Sequence, residues 1–266
     1  LSVLHEMKPK NDFFAGSSDS PVAQMSDQEF LQAKATYFGL MTEIDEQLGR
    51  IFDYLKATNQ YDSTLIVFTS DHGEQLGDHY LFGKLGYFDA SYHIPLIIRD
   101  PKRQLQKVKT LEHFSESVDV MPTILDWLGL EIPDQCDGRS LLPFLENEVP
   151  RNWREEVHSE FDFRWIGSYQ SMIEERFGLL PDECSLVIIR DDDYKYVHMT
   201  ALPPLFFDLK RDPGEFINRV QDPDYCELVL KYSSKMLSWM MNHRDRVLAN
   251  MNVEFGELIH WRGPRN

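Results

Sequence analysis

Thr64-Leu-Ile-Val-Phe-Thr69-Ser-Asp71-His72-Gly73-Glu74 is the stretch whose reading decides the fold. Among residues 64–69 all but Leu65 are β-branched or aromatic. Such side chains fill a pleated surface, so the stretch reads as a short, fully buried strand. Gly73 then permits a sharp turn. A carboxylate and an imidazole thereby come to the carboxyl end of a core strand, the edge at which open α/β sheets bind ligands. Asp71 and His72 offer an oxygen and a nitrogen suited to a divalent metal. The same tripeptide also describes a plain turn, with Asp71 capping the next element and His72 solvated. What surrounds it decides between the two.

Upstream, Ser26-x-x-Glu29 is a capping-box signature. Phe30, Ala33, Tyr37, Leu40, Met41, Ile44, Leu48, Ile51, Phe52 and Leu55 then recur at steps of three and four, an amphipathic helix of about eight turns. Helix followed by buried strand is half of an α/β repeat. Downstream, residues 73–93 carry Gly73, Gly77, Gly83 and Gly86, and a loop of this length in a compact domain is usually functional. Ile94–Arg99 predicts a second buried strand. A helix is expected from near Met121, because Pro122 fits a first turn, to Leu128, with Gly129 ending it. Asp119 is expected to cap that helix, Arg139 to form an ion pair and His93 to be a structural histidine.

From about Arg154 the texture changes. Val157–Phe161, Ser185–Arg190, Tyr194–His198 and Leu205–Leu209 are short strand patterns, with tight turns such as Asp191–Asp193. They predict an antiparallel sheet, covered by an amphipathic helix over Tyr225–Met251. Two domains are expected, 1–150 and 151–266.

Composition sets further bounds. With 42% hydrophobic and 12% aromatic residues in 266, the chain can bury a sizeable core. A formal net charge of −17 repels phosphate backbones and argues against a nucleic-acid partner. No apolar run is long enough to span a membrane. Three cysteines, Cys136, Cys184 and Cys226, contain no C-x-x-C pair; they suit a reducing, cytoplasmic location rather than a disulfide framework. The chain opens at Leu1 with neither Met nor a signal-peptide pattern, so it is expected to be the carboxyl-terminal part of a longer protein. The apolar segment Phe255–Trp261 is expected to dock either on a neighbouring subunit, making a homo-oligomer, or on its own core.

Ser70-Asp71-His72-Gly-Glu-Gln-Leu-Gly-Asp78-His79-Tyr-Leu-Phe-Gly-Lys84 resembles the metal and oxyanion segment of the type I sulfatases and phosphonate monoester hydrolases of the alkaline phosphatase superfamily. Tyr92-His93-Ile-Pro-Leu-Ile-Ile-Arg99, Val118-Asp119-Val-Met-Pro122-Thr123, Asp137-Gly138-Arg139-Ser-Leu-Leu-Pro and Phe207-Asp208-Leu-Lys-Arg-Asp212-Pro-Gly-Glu215-Phe-Ile-Asn218 are similar to its later segments, in its order. The resemblance implies an α/β fold: part of an alkaline-phosphatase-like sandwich with a mixed, mostly parallel sheet. A smaller carboxyl-terminal antiparallel sheet would pack on a long helix.

It further implies a hydrolase of sulfate esters or phosphonate/phosphate esters acting on a small-molecule ester. Asp71 and His72 would ligate a divalent metal ion (Mn, Zn or Ca) and Lys84 would bind the substrate oxyanion. His79 is a further catalytic candidate, with a loop hydrogen bond as its plainer role. His72 stands where many sulfatases have Asn, which points to the phosphonate-hydrolase-like branch and to manganese or zinc over calcium. The family's nucleophile motif, Cys or Ser followed by x-Pro-x-Arg, is absent. The formylglycine nucleophile and the remaining ligands are therefore expected outside this span, and the span alone is expected to be inactive. A two-zinc phosphodiesterase of the same superfamily is the alternative enzyme. A binding or assembly module is the non-enzymatic one, and it leaves Asp71, His72 and Lys84 unexplained.

Overall fold

The computed structural model describes residues 22, 24–103, 110–146, 148–163, 178–180 and 183–243, with the backbone of 251–254 and 257–260. It forms two compact units that interleave along the chain. One comprises Leu1–Val108, Phe161–Leu186 and Gly214–Asn218; the other comprises Lys109–Glu160, Val187–Pro213 and Arg219–Asn266.

In the first unit, helix α1 (Asp27–Ala57) begins at the expected capping box. The Ser26 hydroxyl accepts the Glu29 N–H, and the Glu29 carboxylate accepts the Ser26 N–H at 2.8 Å. Asp27 and Glu29 at its start and Lys56 at its end complement the helix dipole. The helix is anchored near its ends. Phe30, fully buried, packs with Tyr80 and Phe82, and Phe52 meets Tyr61 edge-on. Between these anchors Leu40, Met41, Ile44 and Ile51 are each more than half exposed.

A 3-10 turn (Tyr61–Ser63) leads into strand β1 (Ile66–Thr69). After a long loop and the short helix α2 (Asp89–Tyr92), strand β2 (Leu96–Arg99) pairs antiparallel with β1, Val67 opposite Ile98. The Arg99 guanidinium locks the pair to the preceding turn, donating to the Tyr61 carbonyl at 2.7 Å and lying over the Tyr61 ring. One expectation is corrected here. Ile66, Val67 and Phe68 are half-buried rather than buried, Thr69 is exposed, and Ile97 on β2 is 61% exposed. An apolar strand is buried only when neighbours and layers cover both its faces, and β1 has a single partner among the described residues.

In the second unit, a 3-10 turn (Ser117–Asp119) opens helix α3 (Val120–Trp127), and helix α4 (Leu142–Leu145) follows. Asp119 stands at the N-cap position of α3, but its side chain makes no cap hydrogen bond to that helix. Wholly buried, it accepts the Glu116 and Arg139 N–H groups at 2.8 Å each and takes both arms of the Arg154 guanidinium. Arg139, expected in an ion pair, makes none among the described residues, its guanidinium donating to the Asn152 carbonyl; it is Arg154 that pairs with Asp119 and reaches Glu116 at 3.3 Å. Thr123 links the two motifs, its hydroxyl donating to the Asp119 carbonyl and accepting the Leu141 N–H at 2.9 Å. Gly138 is required by proximity, since a Cβ there would lie 2.0 Å from the Val118 carbonyl oxygen.

Strands β3 (Val157–Asp162), β4 (Ser185–Arg190), β5 (Tyr194–Met199) and β6 (Leu205–Asp208) form one sheet in sequential order, with β5 and β6 antiparallel. The Asp191 carboxylate shapes the β4–β5 turn by accepting the Asp193 and Tyr194 N–H groups. Helix α5 (Cys226–Asn242) covers the sheet: Tyr232 and Met236 join Ile189, Tyr196, Phe206 and Tyr225 in one core. The α/β order and the antiparallel sheet under a long helix are as expected. The helix ends at Asn242 rather than Met251, and Met251 itself opens strand β7 (Met251–Glu254), paired antiparallel with β8 (Glu257–His260). The docking expected of Phe255–Trp261 lies outside the described residues. No described helix is long and apolar enough to cross a membrane, and all three cysteines are free.

Two predictions follow from the second unit. Asp119→Ala leaves the Arg154 charge buried without its main partner, so chemical unfolding should show a loss of about 3–5 kcal/mol. His158, stacked on Trp239 with ring centroids 4.4 Å apart, is held neutral: burial, with the nearby His243, Lys235 and Arg154 charges, lowers its pKa from 6.5 to about 4. The unfolded chain therefore binds the extra proton between these values, so this group's contribution falls as pH drops from about 6.5 to about 4. Glu116, raised by burial despite Arg154, contributes a slope of the opposite sign. The difference in unfolding free energy between wild type and His158→Gln across this window is the measure, and the variant should be the flatter of the two.

Candidate metal and oxyanion site

Asp71 and His72 stand just beyond the last residue of β1. The His72 ring is oriented by its own neighbourhood. Nδ1 lies 2.8 Å from the Gly73 carbonyl oxygen, which can only accept, so this nitrogen carries the proton. Nε2 is the ring nitrogen that faces Asp71, 3.5 Å from its Oδ2. Two donors held by one tetrahedral metal at about 2.1 Å lie roughly 3.4 Å apart, so the pair has a fitting bite. A ring nitrogen bonded to a carbonyl is also the usual support of a ligating histidine. Asp71 is exposed, and its carboxyl sits below the ordinary carboxylate range. Desolvation opposes this, but His72, the Asp71 and His72 N–H groups and the Lys84 charge outweigh it. The Lys84 charge is the smallest of these contributions, and its side chain lies in solvent. Among the described residues no group of three or more His, Cys, Asp or Glu side chains is poised to hold a metal.

The loop between the ligands and Lys84 is shaped by close approach. The Gly73 N–H donates to the Ser91 carbonyl at 2.9 Å, and a Cβ on Gly73 would lie 2.0 Å from the Ala90 carbonyl oxygen. Gly73 is needed for this proximity, not for the turn that the sequence predicts. The Glu74 carboxylate accepts the Leu76 and Gly83 N–H groups, closing the loop upon itself. Gln75, buried, donates its side-chain amide to Ser91 Oγ at 2.7 Å. Leu76, His79 and Tyr80 adopt positive φ values of 49°, 54° and 57°, each costing about 1–3 kcal/mol and persisting only where the surroundings enforce it.

His79 is one of the enforcing parts. Its buried ring stacks on Phe88 with centroids 3.6 Å apart, and Phe216 meets it at 5.0 Å. His93, expected to be structural, is exposed. Two contributors carry no local signal in the sequence. The buried Glu215 accepts the Asp89 N–H at 2.7 Å, holding the start of α2, and Phe216 backs the His79 ring. Both lie in the Asp208–Asn218 segment, whose family pattern was legible while its destination was not.

A sulfatase family model matches residues 5–130. The model for the carboxyl-terminal part of N-sulphoglucosamine sulphohydrolase matches residues 77–242, more than half of the chain. The chain belongs to the sulfatase and phosphonate monoester hydrolase family. Among the family's curated proteins, the multifunctional alkaline phosphatase superfamily protein PehA of Trinickia caryophylli is 54% identical over 91% of this chain and 46% of its own length. The phosphonate monoester hydrolase of Agrobacterium radiobacter superposes with a TM-score of 0.81 at 42% identity, over 90% of this chain and 47% of that one. The enzyme of Silicibacter pomeroyi gives 0.81 at 39%, over 91% and 48%. The chain spans about half the length of the curated relatives and solved structures it matches.

The loop geometry separates two glycines. Gly83 has φ +82° with open space around its Cβ position, whereas Gly77 has φ +95° and a Cβ would lie 2.0 Å from the buried Phe30 ring. Gly83→Ala should cost about 1 kcal/mol for conformation alone. Gly77→Ala should cost several times more in thermal unfolding, because the Phe30 anchor of α1 must also move.

Proposed function

We propose that this chain supplies part of the active site of a metal-dependent hydrolase of sulfate esters or phosphonate/phosphate esters. The observation that carries it is the Asp71 Oδ2–His72 Nε2 pair, 3.5 Å apart, with its tautomer fixed by Gly73 and Lys84 nearby. The histidine and the likeness to phosphonate monoester hydrolases favour the phosphonate branch and manganese or zinc. When bound, a metal supplies Lewis-acid stabilisation of the ester oxygens. Asp71 and His72 hold the site for it. Lys84 adds a mobile positive charge to the same developing oxyanion, a contact typically accounting for about 2–4 kcal/mol of barrier. His79 acts as a positioning residue, keeping the strained loop, and with it Lys84, in place. The formylglycine nucleophile and further ligands come from polypeptide outside this span. A cytoplasmic setting belongs to the same reading, supported by three free thiols.

The test has two arms. Titrated with Mn²⁺ or Zn²⁺, the chain should bind weakly, and Asp71→Ala or His72→Ala should abolish binding while Lys84→Ala leaves it intact. Alone, the chain should not turn over aryl sulfates or phosphonate monoesters above background. Turnover comparable to an intact relative would sink the assignment of the nucleophile to other polypeptide, and metal binding indifferent to Asp71 would sink the site. In a complemented, active enzyme, Lys84→Ala should lower kcat about 10²–10³-fold.

A further inference from the structure

Between His72 and Lys84 the chain makes an excursion that returns to its start. The Gln75 N–H donates to the Gly83 carbonyl at 2.9 Å, and the Gly77 N–H to the Leu81 carbonyl at 2.8 Å. In a plain antiparallel pair, residues 75 and 83 would exchange both backbone bonds. Here the second is replaced. The Gln75 carbonyl accepts the Asp78 N–H at 2.9 Å, and the Gly83 N–H donates to Glu74 Oε1 at 2.6 Å. The same oxygen accepts the Leu76 N–H at 3.1 Å. Both polar groups of Gly83 are thereby held, one by the Glu74 side chain and one by the Gln75 backbone. The hold falls where the chain most needs one. Gly83 has φ +82° and open space around its Cβ position, so the glycine itself supplies no restraint there. Lys84 follows directly, with an exposed side chain that no packing directs, and the chain is next buried only at Gly86, Tyr87 and Phe88.

We infer that Glu74 is a positioning residue for Lys84: by holding Gly83, its carboxylate sets the place of the lysine relative to Asp71 and His72. Through Glu74 and Gln75 the lysine is tied to His72 by a short path instead of by the whole loop. A restraint of this kind has a physical purpose. A cation that shares an oxyanion with a divalent metal is repelled by that metal, and a lysine on a free glycine backbone would swing away into solvent. Glu74 acts through the backbone and touches no substrate, so the reach of its side chain matters more than its charge. The inference rests on the proposed function for what Lys84 does, but on the hydrogen bonds at Gly83 for how it is held.

Three substitutions separate reach from charge. Glu74→Gln keeps the length and an acceptor oxygen but loses the charge, Glu74→Asp keeps the charge but falls one methylene short, and Glu74→Ala loses both. In the chain itself, amide exchange at Gly83 and Leu76 should be at least about tenfold faster in the Ala and Asp variants and near wild type in Gln. Unchanged exchange over Ile66–Thr69 of β1 checks that the unit stays folded. In a complemented, active enzyme, the Ala and Asp variants should lower kcat about 10–100-fold at unchanged Mn²⁺ affinity, and Gln should restore most of it. Glu74→Ala combined with Lys84→Ala should turn over about as slowly as Lys84→Ala alone, because a lysine that is gone cannot be misplaced. The inference is overturned if Asp outperforms Gln, if the losses of the two Ala variants multiply in full, or if Gly83 exchange is the same in Glu74→Ala as in wild type. Should Lys84→Ala itself turn over like wild type, the proposed function loses its lysine, while exchange at Gly83 still decides whether Glu74 holds the loop.

Discussion

The Gly73 N–H donating to the Ser91 carbonyl is the contact on which the candidate site depends. It brings the end of β1 against α2, so closely that no side chain fits at Gly73. Everything between these two points must then be folded into a tight loop. That constraint explains three successive devices: the Glu74 carboxylate turned inward on the Leu76 and Gly83 N–H groups, the buried Gln75–Ser91 bond, and left-handed backbone at Leu76, His79 and Tyr80. Strain of this kind persists only where packing over-determines it, and the stack of His79 on Phe88, with Phe216 tilted against it, provides that packing.

The two units reach the same end by different means. In the first, backbone closeness and aromatic stacking position exposed polar groups. In the second, a buried carboxylate gathers the chain: Asp119 takes N–H groups from Glu116 and Arg139 and the Arg154 guanidinium. Buried charge is tolerable only with all its bonding capacity engaged, and here backbone donors and guanidinium together engage both carboxylate oxygens. The Asp119–Thr123 helix start and the Gly138-Arg139 segment are therefore one structural element, although they are separated in the chain.

Local physics was legible in the sequence, and long-range partnership was not. The capping box of α1, the strand at Ile66–Thr69, the start of α3 and the sheet under α5 follow from periodicity and turn chemistry. The place of Asp71 and His72 just beyond a strand end was legible too. Arg154 as the partner of Asp119 could not be read, because it depends on which distant arginine the fold delivers. Nor could Glu215 and Phe216, whose partners lie over a hundred residues away. Burial of β1 was over-read for a different reason. An apolar strand records the environment of the whole family fold, and this chain spans about half of it.

The bond from the Asp89 N–H to Glu215 spans 126 residues, and that span has a consequence for synthesis. A chain made from its amino end lengthens by about 5–20 residues per second, so Asp89 waits on the order of 6–25 s before Glu215 is even polymerised. Through that interval the loop bearing His79 lacks Phe216 as well, and its left-handed residues lack part of what enforces them. Strand β1 can be present early, but the geometry of the loop after it is a late product of translation. Slow decoding between residues 89 and 215 would prolong the time the nascent chain spends with an open loop, within reach of chaperones and proteases.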